Sequence, residues 1–290
     1  MIPPGDVRYG VHVPNMWEYG DPRVLAELAA LAEESGWDGF FVWDHVLFDL
    51  ESPPDVCDPW IALAAAAAGT SRIRLGAMLT PVARRRPWKL AREVASLDVL
   101  SQGRVVFGAG LGVPGDAEFE AYGEDADPLV RREKLDEGLE LLRLLWSGEP
   151  VSFSGRHYTV AEVTFRPPPV QERLPIWVGG NWPNKRPFRR AARMEGLIPE
   201  RGGGDLLTPA DLREALAFVA AERESLGIEA DRPFTVATAG YTPAGDSAAA
   251  RAVVEPYVEA GATWWIERFH AGRGPLDFTR ERLRQGPPRL

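Results

Sequence analysis

The stretch GFFVWDHVLF, residues 39–48, begins with five residues that are typical of a strand buried on both faces. An acid and an imidazole, Asp44 and His45, follow it with no spacer. Strands that are apolar on both faces belong to parallel sheets whose two sides are covered by helices. The fold therefore depends on how many such strands the chain contains and on what separates them.

Seven further runs of this kind alternate with helical patterns. They cover residues 7–13, 73–79, 104–110, 174–180, 196–200, 233–241 and 262–269. Four of the predicted helices start with a capping residue followed by proline, at Asp21-Pro22, Asp58-Pro59, Asp127-Pro128 and Thr208-Pro209. The side-chain oxygen accepts from free helical N–H groups, and proline at the first helical position loses no hydrogen bond. This alternation predicts a closed (β/α)8 TIM barrel, and favours it over an open doubly wound sheet.

Residues 147–173 break the alternation and carry three consecutive prolines at 167–169. We expect an insertion here, after the fourth helix, with a small hairpin at 151–165. No change of composition marks a boundary, so we expect one domain over residues 1–290.

The composition excludes several classes of protein. The chain of 290 residues has a net charge of -9, whereas proteins that bind nucleic acids normally carry a basic face, so we expect no nucleic-acid partner. The single cysteine, Cys57, allows no disulfide framework or thiolate cluster. The four histidines stand on separate segments without an H-E-x-x-H motif, so we expect no metal site. G-x-S-x-G, the motif of many serine hydrolases, is absent as well.

Targeting signals are also missing from the sequence. Residues 1–6 lack the basic and apolar regions of a signal peptide. The longest apolar run, residues 60–69, is about half the length of a membrane span. We therefore expect a soluble, cytoplasmic protein with no membrane contact.

In barrels of this kind the loops that follow the strands build the active site. That rule places Asp44 and His45 at the mouth, together with His12 from the end of the first strand. The last three strands add Glu200, Tyr241, Arg268 and His270. A buried Asp–His pair that only caps a loop is the alternative.

Two glycine-rich segments and one basic run extend the list of candidates. Gly108, Gly110 and Gly112 depart from a dinucleotide fingerprint, because position 113 is valine, and favour close approach of the backbone to a flat ligand. Gly179, Gly180, Asn181 and Lys185 precede or open a helix and could seat an anion, or could form a plain tight turn. Residues 84–86, all arginine, could contact an acidic ligand or form a solvated loop.

At the level of motifs the chain resembles the bacterial luciferase-like flavin and deazaflavin oxidoreductases. The order and spacing of the shared segments carry the resemblance: GVHVPN at 10–15, WDH at 43–45, IRLGAMLTPVARRRPWKLAREVASLDVLSQGR at 73–104, FGAGLG at 107–112, GRHYTV at 155–160 and PPPVQERLPIWVGG at 167–180. The resemblance implies a TIM barrel with an insertion and a flavin-type ring at the C-terminal mouth. It also implies a homodimer.

The Asp-His pair, LTP at 79–81 and LDVLSQGR at 97–104 are similar to the branch that uses the deazaflavin coenzyme F420. That likeness implies a bulge with a non-prolyl cis peptide at Ala77 and Met78, which with Thr80 and the glycines 108–112 would hold the ring. It implies that Gly179–Asn181 contact a phosphate of the coenzyme. It also implies that Arg84–Arg86 contact the acidic tail of the coenzyme. Val113 and Asp49 stand where glucose 6-phosphate dehydrogenases of the branch carry an acid and a tryptophan, which argues against that substrate.

We therefore expect an enzyme that moves hydride between F420 and a small organic substrate. His45 would be the acid/base group, Asp44 would orient it, and His12 would contact substrate. An FMN-dependent monooxygenase that uses oxygen is the first alternative. A barrel that binds flavin without catalysis is the second.

Overall fold

The computed structural model of the chain describes residues 7–113, 115–202, 206–229 and 231–290. The segment 1–6, in which the sequence predicts no signal peptide, lies outside the described residues. The strands are β1 (Arg8–Val13), β2 (Gly39–Val42), β3 (Arg74–Ala77), β4 (Thr80–Pro81), β5 (Phe107–Gly110), β6 (Pro150–Ser154), β7 (Thr159–Thr164), β8 (Ile176–Trp182), β9 (Gly196–Arg201), β10 (Thr235–Gly240) and β11 (Trp264–Arg268).

Nine of these strands form one parallel sheet in the order β3-β2-β1-β11-β10-β9-β8-β5-β4. The sheet closes on itself, because Leu75 of β3 pairs in parallel with Val105, just before β5. The N–H of Leu75 donates to the carbonyl of Arg104 at 3.0 Å, and the N–H of Val106 donates to the carbonyl of Leu75 at 2.9 Å. The predicted (β/α)8 TIM barrel is thus confirmed.

The third barrel strand is broken into β3 and β4. The sequence predicts one strand over 73–79, whereas a cis peptide bond between Met78 and Leu79 divides it. β3 pairs with β2 on one side and β4 pairs with β5 on the other. The cis bond lies one residue beyond the Ala77–Met78 position that the resemblance implies, which corrects that expectation.

The helices surround the barrel. They are α1 (Pro22–Glu34), α2 (Pro59–Gly69), α3 (Pro87–Leu100), α4 (Gly115–Glu118), α5 (Pro128–Trp146), α6 (Lys185–Ala192), α7 (Pro209–Ser225), α8 (Ser247–Glu259) and α9 (Leu276–Arg284). All four predicted caps accept hydrogen bonds from the first turn of their helices. At α2, for example, the carboxylate of Asp58 accepts from the N–H groups of Trp60 at 2.9 Å and Ile61 at 3.0 Å. The sequence analysis missed α4 and α9.

The barrel interior is filled by side chains that meet across it. Phe41, Trp177 and Trp264, from β2, β8 and β11, have ring centroids 5.4 to 5.9 Å apart. Because these strands are not neighbours, the three rings must point inward. Trp177 and Trp264 stand near the start of their strands, so they fill the N-terminal end of the barrel rather than the floor of a cofactor pocket.

The predicted insertion forms an antiparallel hairpin of β6 and β7 after α5. Its turn is attached to α5 through the carboxylate of Glu137, which accepts from the N–H groups of Arg156 at 2.8 Å and His157 at 2.9 Å. The hairpin therefore packs on the helix that precedes it. Among the described residues, no helix combines the length and the apolar character needed to cross a membrane.

Candidate active site

A cavity of about 530 Å³ opens at the C-terminal ends of the barrel strands. The first two strands contribute His12, Asp44 and His45 to its lining, and the broken third strand contributes Met78 and Leu79. The last strands contribute Glu200, Tyr241, Arg268 and His270. The structure thus brings together residues that are up to 258 positions apart, as the rule for barrel loops predicts.

His12 lies against the broken strand. Its Nε2 is 2.6 Å from the carbonyl oxygen of Met78. Since a carbonyl can only accept, Nε2 carries the hydrogen and Nδ1 keeps a free lone pair while the ring is neutral. Burial, reinforced by the positive charge of Arg268, lowers the pKa of His12 to about 3. His12 is therefore a neutral hydrogen-bonding group at physiological pH and cannot serve as an acid there.

His45 is held by Glu118, not by the adjacent Asp44. The Nδ1 of His45 donates to Oε1 of Glu118 at 3.1 Å. The backbone beside the ring is fixed by Asn15, whose side-chain amide donates to the carbonyl of His45 at 2.8 Å. No described residue forms a hydrogen bond with Nε2 of His45, and the ring lines the cavity. The expectation that Asp44 orients the imidazole directly is wrong.

Asp44 instead forms a buried ion cluster with two of the predicted arginines. Its Oδ1 accepts from Arg84 at 2.8 Å and from Arg85 at 2.7 Å. Burial by itself would raise the pKa of Asp44, but the charges of Arg85 and Arg84 outweigh it and lower that pKa. Arg84 and Arg85 are thus occupied by Asp44, and their expected contact with an acidic ligand is corrected. Arg86 lies outside this cluster, over the ring of Trp88.

The glycines 108, 110 and 179 leave room for the broken strand. A Cβ on Gly108 would lie 2.3 Å from the carbonyl oxygen of Ala77. On Gly110 and Gly179 it would lie 2.8 Å and 2.0 Å from atoms of Leu79. Gly110 also lines the cavity with Gly112, which has a φ of +90°. Of these glycines, Gly110 and Gly112 are therefore the two at which a flat ligand could approach the backbone closely.

The expected anion seat is not formed as a turn. Gly179, Gly180 and Asn181 lie within β8, which continues to Trp182 and pairs with β9 along this stretch. Their backbone is engaged in the sheet, so they do not present a free N–H cradle. Lys185, at the start of α6, has its ammonium 5.3 Å from the ring centroid of Phe218. None of the four lines the cavity. The strand was predicted to end two residues too early.

Aromatic side chains enclose His45. Its ring centroid lies 5.6 Å from that of Trp43 and 5.2 Å from that of Phe48. Trp17 packs edge-on against both of these rings. The imidazole is therefore presented to the cavity between apolar surfaces.

The opposite wall of the cavity is polar but internally paired. Arg268 forms an ion pair with Glu200. The hydroxyl of Tyr241 lies 3.1 Å from Nε2 of His270. Burial together with the charges of Arg273 and Arg268 lowers the pKa of His270, so its neutral form is favoured.

Glu118 is the site residue that sequence reasoning missed. The segment after Gly112 was interpreted as a loop, but residues 115–118 form a short helix that ends at this acid. One signal was present: Glu118 stands between two apolar residues, Ala117 and Phe119, and all three are buried. The pattern alone did not distinguish it from the exposed Glu120 two positions on.

Several buried polar atoms near the cavity have no hydrogen-bond partner within the described part of the chain. They include Oδ2 of Asp44, Oγ1 of Thr80, Oε2 of Glu118 and the Nε atoms of Arg84, Arg85 and Arg268. Buried polar atoms are almost always satisfied, so each is available to a bound molecule or water. Asp44 lines the cavity, and Thr80 follows the Met78–Leu79 cis bond.

Comparison with known proteins places the chain in a family. The model of the luciferase-like monooxygenase family matches residues 6–289. An uncharacterized protein of Mycobacterium tuberculosis is 34% identical over 218 residues, which are 69% of this chain and 76% of that protein. An F420-dependent glucose-6-phosphate dehydrogenase of Microbacterium testaceum is 34% identical over 183 residues, 62% of this chain and 51% of that protein.

The fold has solved counterparts. An F420-dependent secondary alcohol dehydrogenase, solved with an F420-acetone adduct, superposes with a TM-score of 0.82 over 98% of both chains. The sequence identity is 17%, so this likeness concerns the fold. Because the family model spans nearly the whole chain, the protein is a member of the luciferase-like monooxygenase family of oxidoreductases.

Proposed function

We propose that this protein transfers hydride between coenzyme F420 and a small, uncharged organic substrate. The observation that carries the proposal is the position of His45: an imidazole with a free Nε2 faces the cavity between Trp43 and Phe48. A relative that is 34% identical is named an F420-dependent dehydrogenase, and the chain aligns with about half of that protein.

The residues at the cavity fit a planar, polar-edged ring. The broken strand at Met78–Leu79 forms one wall, and Gly110 and Gly112 leave the backbone uncovered beside it. The unpartnered Oδ2 of Asp44 can accept from an N–H group, and Oγ1 of Thr80 can donate or accept. When bound, a deazaflavin accepts or releases hydride at a ring carbon. Asp44, Met78, Thr80 and Gly110 are the residues we propose to hold it.

His45 would exchange the proton that accompanies the hydride. When an alcohol is oxidised, its C–H bond breaks and the hydride leaves with both electrons. Its O–H bond breaks too, and the proton passes to Nε2 of His45 as the carbonyl forms. In the reverse direction the protonated ring returns that proton to the oxygen. Histidine suits this role because its charge changes near neutral pH.

His12 would take a different part. As a neutral ring whose Nε2 is engaged with Met78, it can offer only the Nδ1 lone pair. We propose that it accepts a hydrogen bond from substrate or from the ring and keeps the broken strand in place.

The charges around the cavity support an uncharged substrate. Arg268 is paired with Glu200, and Arg84 and Arg85 are paired with Asp44. Arg268 lines the described cavity wall together with two acids, Asp44 and Glu200, so the wall carries no excess of positive charge for a phosphorylated sugar. Glucose 6-phosphate, the substrate in the name of several relatives, is therefore not the substrate we propose.

An FMN-dependent monooxygenase is the second candidate, because the family model bears the description luciferase-like monooxygenase. A barrel that binds a flavin without catalysis is the third. Titration of the purified protein with F420 and, separately, with FMN distinguishes the two enzymatic candidates through quenching of cofactor fluorescence, and turnover of the bound cofactor separates them from the third. Binding of F420 supports the proposal, binding of FMN alone supports the second candidate, and binding of neither cofactor excludes both enzymatic readings.

A matched pair of variants tests the role of His45. The assay follows the reduction of oxidised F420 with a panel of uncharged alcohols, and the oxidation of reduced F420 with uncharged aldehydes and ketones. We expect His45→Gln to lose turnover and to retain cofactor binding. His157→Gln is the control, since His157 lies in the hairpin turn and pairs with Glu133 at 2.9 Å. Full turnover by His45→Gln would remove the proton-transfer role.

Two further expectations stay proposals. The homodimer is tested by light scattering coupled to size-exclusion chromatography, and the cytoplasmic location by cell fractionation. A monomer in the first experiment or a membrane-associated pool in the second would contradict them.

A further inference from the structure

We infer that Glu118 is a positioning residue of this site: its carboxylate selects the Nδ1–H tautomer of His45 and so presents an unprotonated Nε2 to the cavity. The inference rests on the proposed role of His45 and adds a residue that acts through it. The evidence lies in three contacts of one carboxylate oxygen.

Oε1 of Glu118 holds the ring and the backbone next to it. It accepts from Nδ1 of His45 at 3.1 Å and from the N–H of Val46 at 2.7 Å. The N–H of Leu47 lies 3.5 Å away, at the limit of a hydrogen bond. A carboxylate without its proton can only accept, so the hydrogen of the neutral imidazole must sit on Nδ1. A single oxygen thus determines both the tautomer and the position of the loop.

The buried carboxylate has a charged neighbour, Arg84, although its Oε2 accepts no hydrogen bond from a described residue. The side chain of Glu118 is 0% exposed, and Nε of Arg84 lies 3.5 Å from its Oε2. A buried carboxylate needs such a partner, because desolvation otherwise favours its protonated form, which could donate to the ring instead of accepting.

Arg84 also connects the two residues with which the sequence analysis began. Its Nη2 donates to the carbonyl oxygen and the carboxylate of Asp44, at 2.9 and 2.8 Å. Among the described residues, side-chain contacts therefore connect Asp44 to the ring of its chain neighbour His45 through Arg84 and Glu118, which lie 40 and 74 positions from Asp44 in the sequence.

The chemical consequence follows from the two nitrogens of the ring. With Nδ1–H bound to a carboxylate, proton exchange is confined to Nε2, which is the nitrogen that faces the cavity. The positive charge that appears when Nε2 takes a proton is then next to a negative one. An aspartate that orients a catalytic histidine in serine proteases works by the same physical principle.

The tautomer can be measured without cofactor or substrate. In protein labelled with ¹⁵N-histidine, the ring nitrogen shifts distinguish Nδ1–H from Nε2–H, and loss of signals in His45→Gln assigns His45. We expect the wild type to show Nδ1–H. Glu118→Gln, whose amide oxygen can still accept, should keep that tautomer. Glu118→Ala, which removes the acceptor, should give a mixture. Glu93→Gln is the control: Glu93 lies 3.6 Å from Arg85 in the same charged region and does not touch the ring.

Turnover and its pH profile are measured on the same variants. We expect Glu118→Ala to lower kcat by about 10- to 100-fold, the usual effect of removing a partner that orients a histidine. F420 binding should stay near the wild-type value, and Glu93→Gln should be unchanged throughout. Should F420 fail to bind at all, the proposed function falls while the tautomer measurement still decides the role of Glu118. A wild-type His45 protonated on Nε2, or a folded Glu118→Ala that keeps Nδ1–H, would overturn the inference.

Discussion

His12 donates from Nε2 to the carbonyl oxygen of Met78 at 2.6 Å, directly before the cis peptide bond that divides the third barrel strand. A polar ring from the first strand thus reaches the backbone of the third across the end of the second. While the ring is neutral, this contact leaves one free lone pair on the other nitrogen. It ties a candidate substrate-binding group to the element that shapes the cavity wall.

The first prediction concerns the pH dependence of stability. The folded pKa of His12 is about 3, whereas the unfolded value is near 6.5. Between these values the unfolded chain binds a proton that the folded chain does not, so stability is present above pH 6.5 and falls as the pH drops toward 3. The slope from this group is at most about 1.4 kcal/mol per pH unit, because the folded and unfolded chains differ by at most one proton at His12.

Chemical denaturation of the wild type and His12→Gln at a series of pH values measures that slope. Carboxylates titrate equally in both proteins, so the difference between them isolates His12. We expect the variant to lose less stability on acidification from pH 6.5 to 4.5 and to run parallel to the wild type above pH 7. Identical slopes over the acid range would contradict the assigned pKa.

The second prediction compares a glycine that lies against a backbone atom with a glycine that lies against a side chain. A methyl group on Gly108 would meet the backbone oxygen of Ala77, which cannot move without shifting the strand. On Gly179 it would meet only the end of the Leu79 side chain. Gly108→Ala should destabilise by about 1–3 kcal/mol, the usual cost of overpacking, and Gly179→Ala should fall in the same range or below.

A double-mutant cycle makes this comparison sharper. In a Leu79→Ala background the cost of Gly179→Ala should disappear, while the cost of Gly108→Ala should remain. Urea unfolding of the wild type, the three single variants and the two double variants gives the coupling free energies. Equal coupling of both glycines to Leu79 would show that the backbone contact at Gly108 is not the cause.

The third prediction concerns Glu267, a fully buried acid at the end of β11. Its carboxylate accepts from the N–H and hydroxyl of Thr242, at 3.0 and 2.8 Å, and pairs with Arg273 at 2.5 Å. Glu267→Ala would leave these donors buried without partners, so we expect a loss of about 3–5 kcal/mol in the free energy of unfolding.

The matched control is Glu281→Ala, which removes an exposed partner of Arg284 at 3.6 Å. Exposed pairs contribute about 0–1 kcal/mol because water screens them. Denaturant unfolding compares the two variants directly. A loss of similar size in both would show that the Glu267 network contributes no more than a surface pair.

The fourth prediction tests a cap that was recognised from sequence. Asp58 accepts from two N–H groups in the first turn of α2, so Asp58→Ala should destabilise by about 1 kcal/mol. Asp49→Ala is a suitable comparison, because Asp49 closes only an exposed turn through the N–H of Glu51 at 2.8 Å. We expect Asp49→Ala to change the free energy of unfolding, measured by denaturant, by no more than about 0.5 kcal/mol. Equal effects would argue that capping does not stabilise α2.

The repeating local pattern was sufficient to predict the barrel. Apolar strands and Asp-Pro or Thr-Pro helix starts are set by neighbouring residues, so β2 and the first residues of α1, α2, α5 and α7 could be predicted close to their observed positions. The same logic placed Asp44, His45 and His12 at one end of the barrel, since parallel strands all end on the same side.

The residues with which Asp44 and His45 form hydrogen bonds and ion pairs could not be predicted in this way. Asp44 and His45 are adjacent in the chain, yet successive residues beyond a strand point in different directions, and each meets side chains from elsewhere. Glu118 and Arg84 reach them from the segments that follow the fourth and third barrel strands, of which only the third lies next to the second. The function of the glycines likewise depends on a break in β3, which no pattern of apolar residues records. Sequence alone determined the barrel and the end that carries the chemistry, because those follow from local periodicity; tertiary structure decided which charges pair, because pairing is set by distances between segments far apart in the chain.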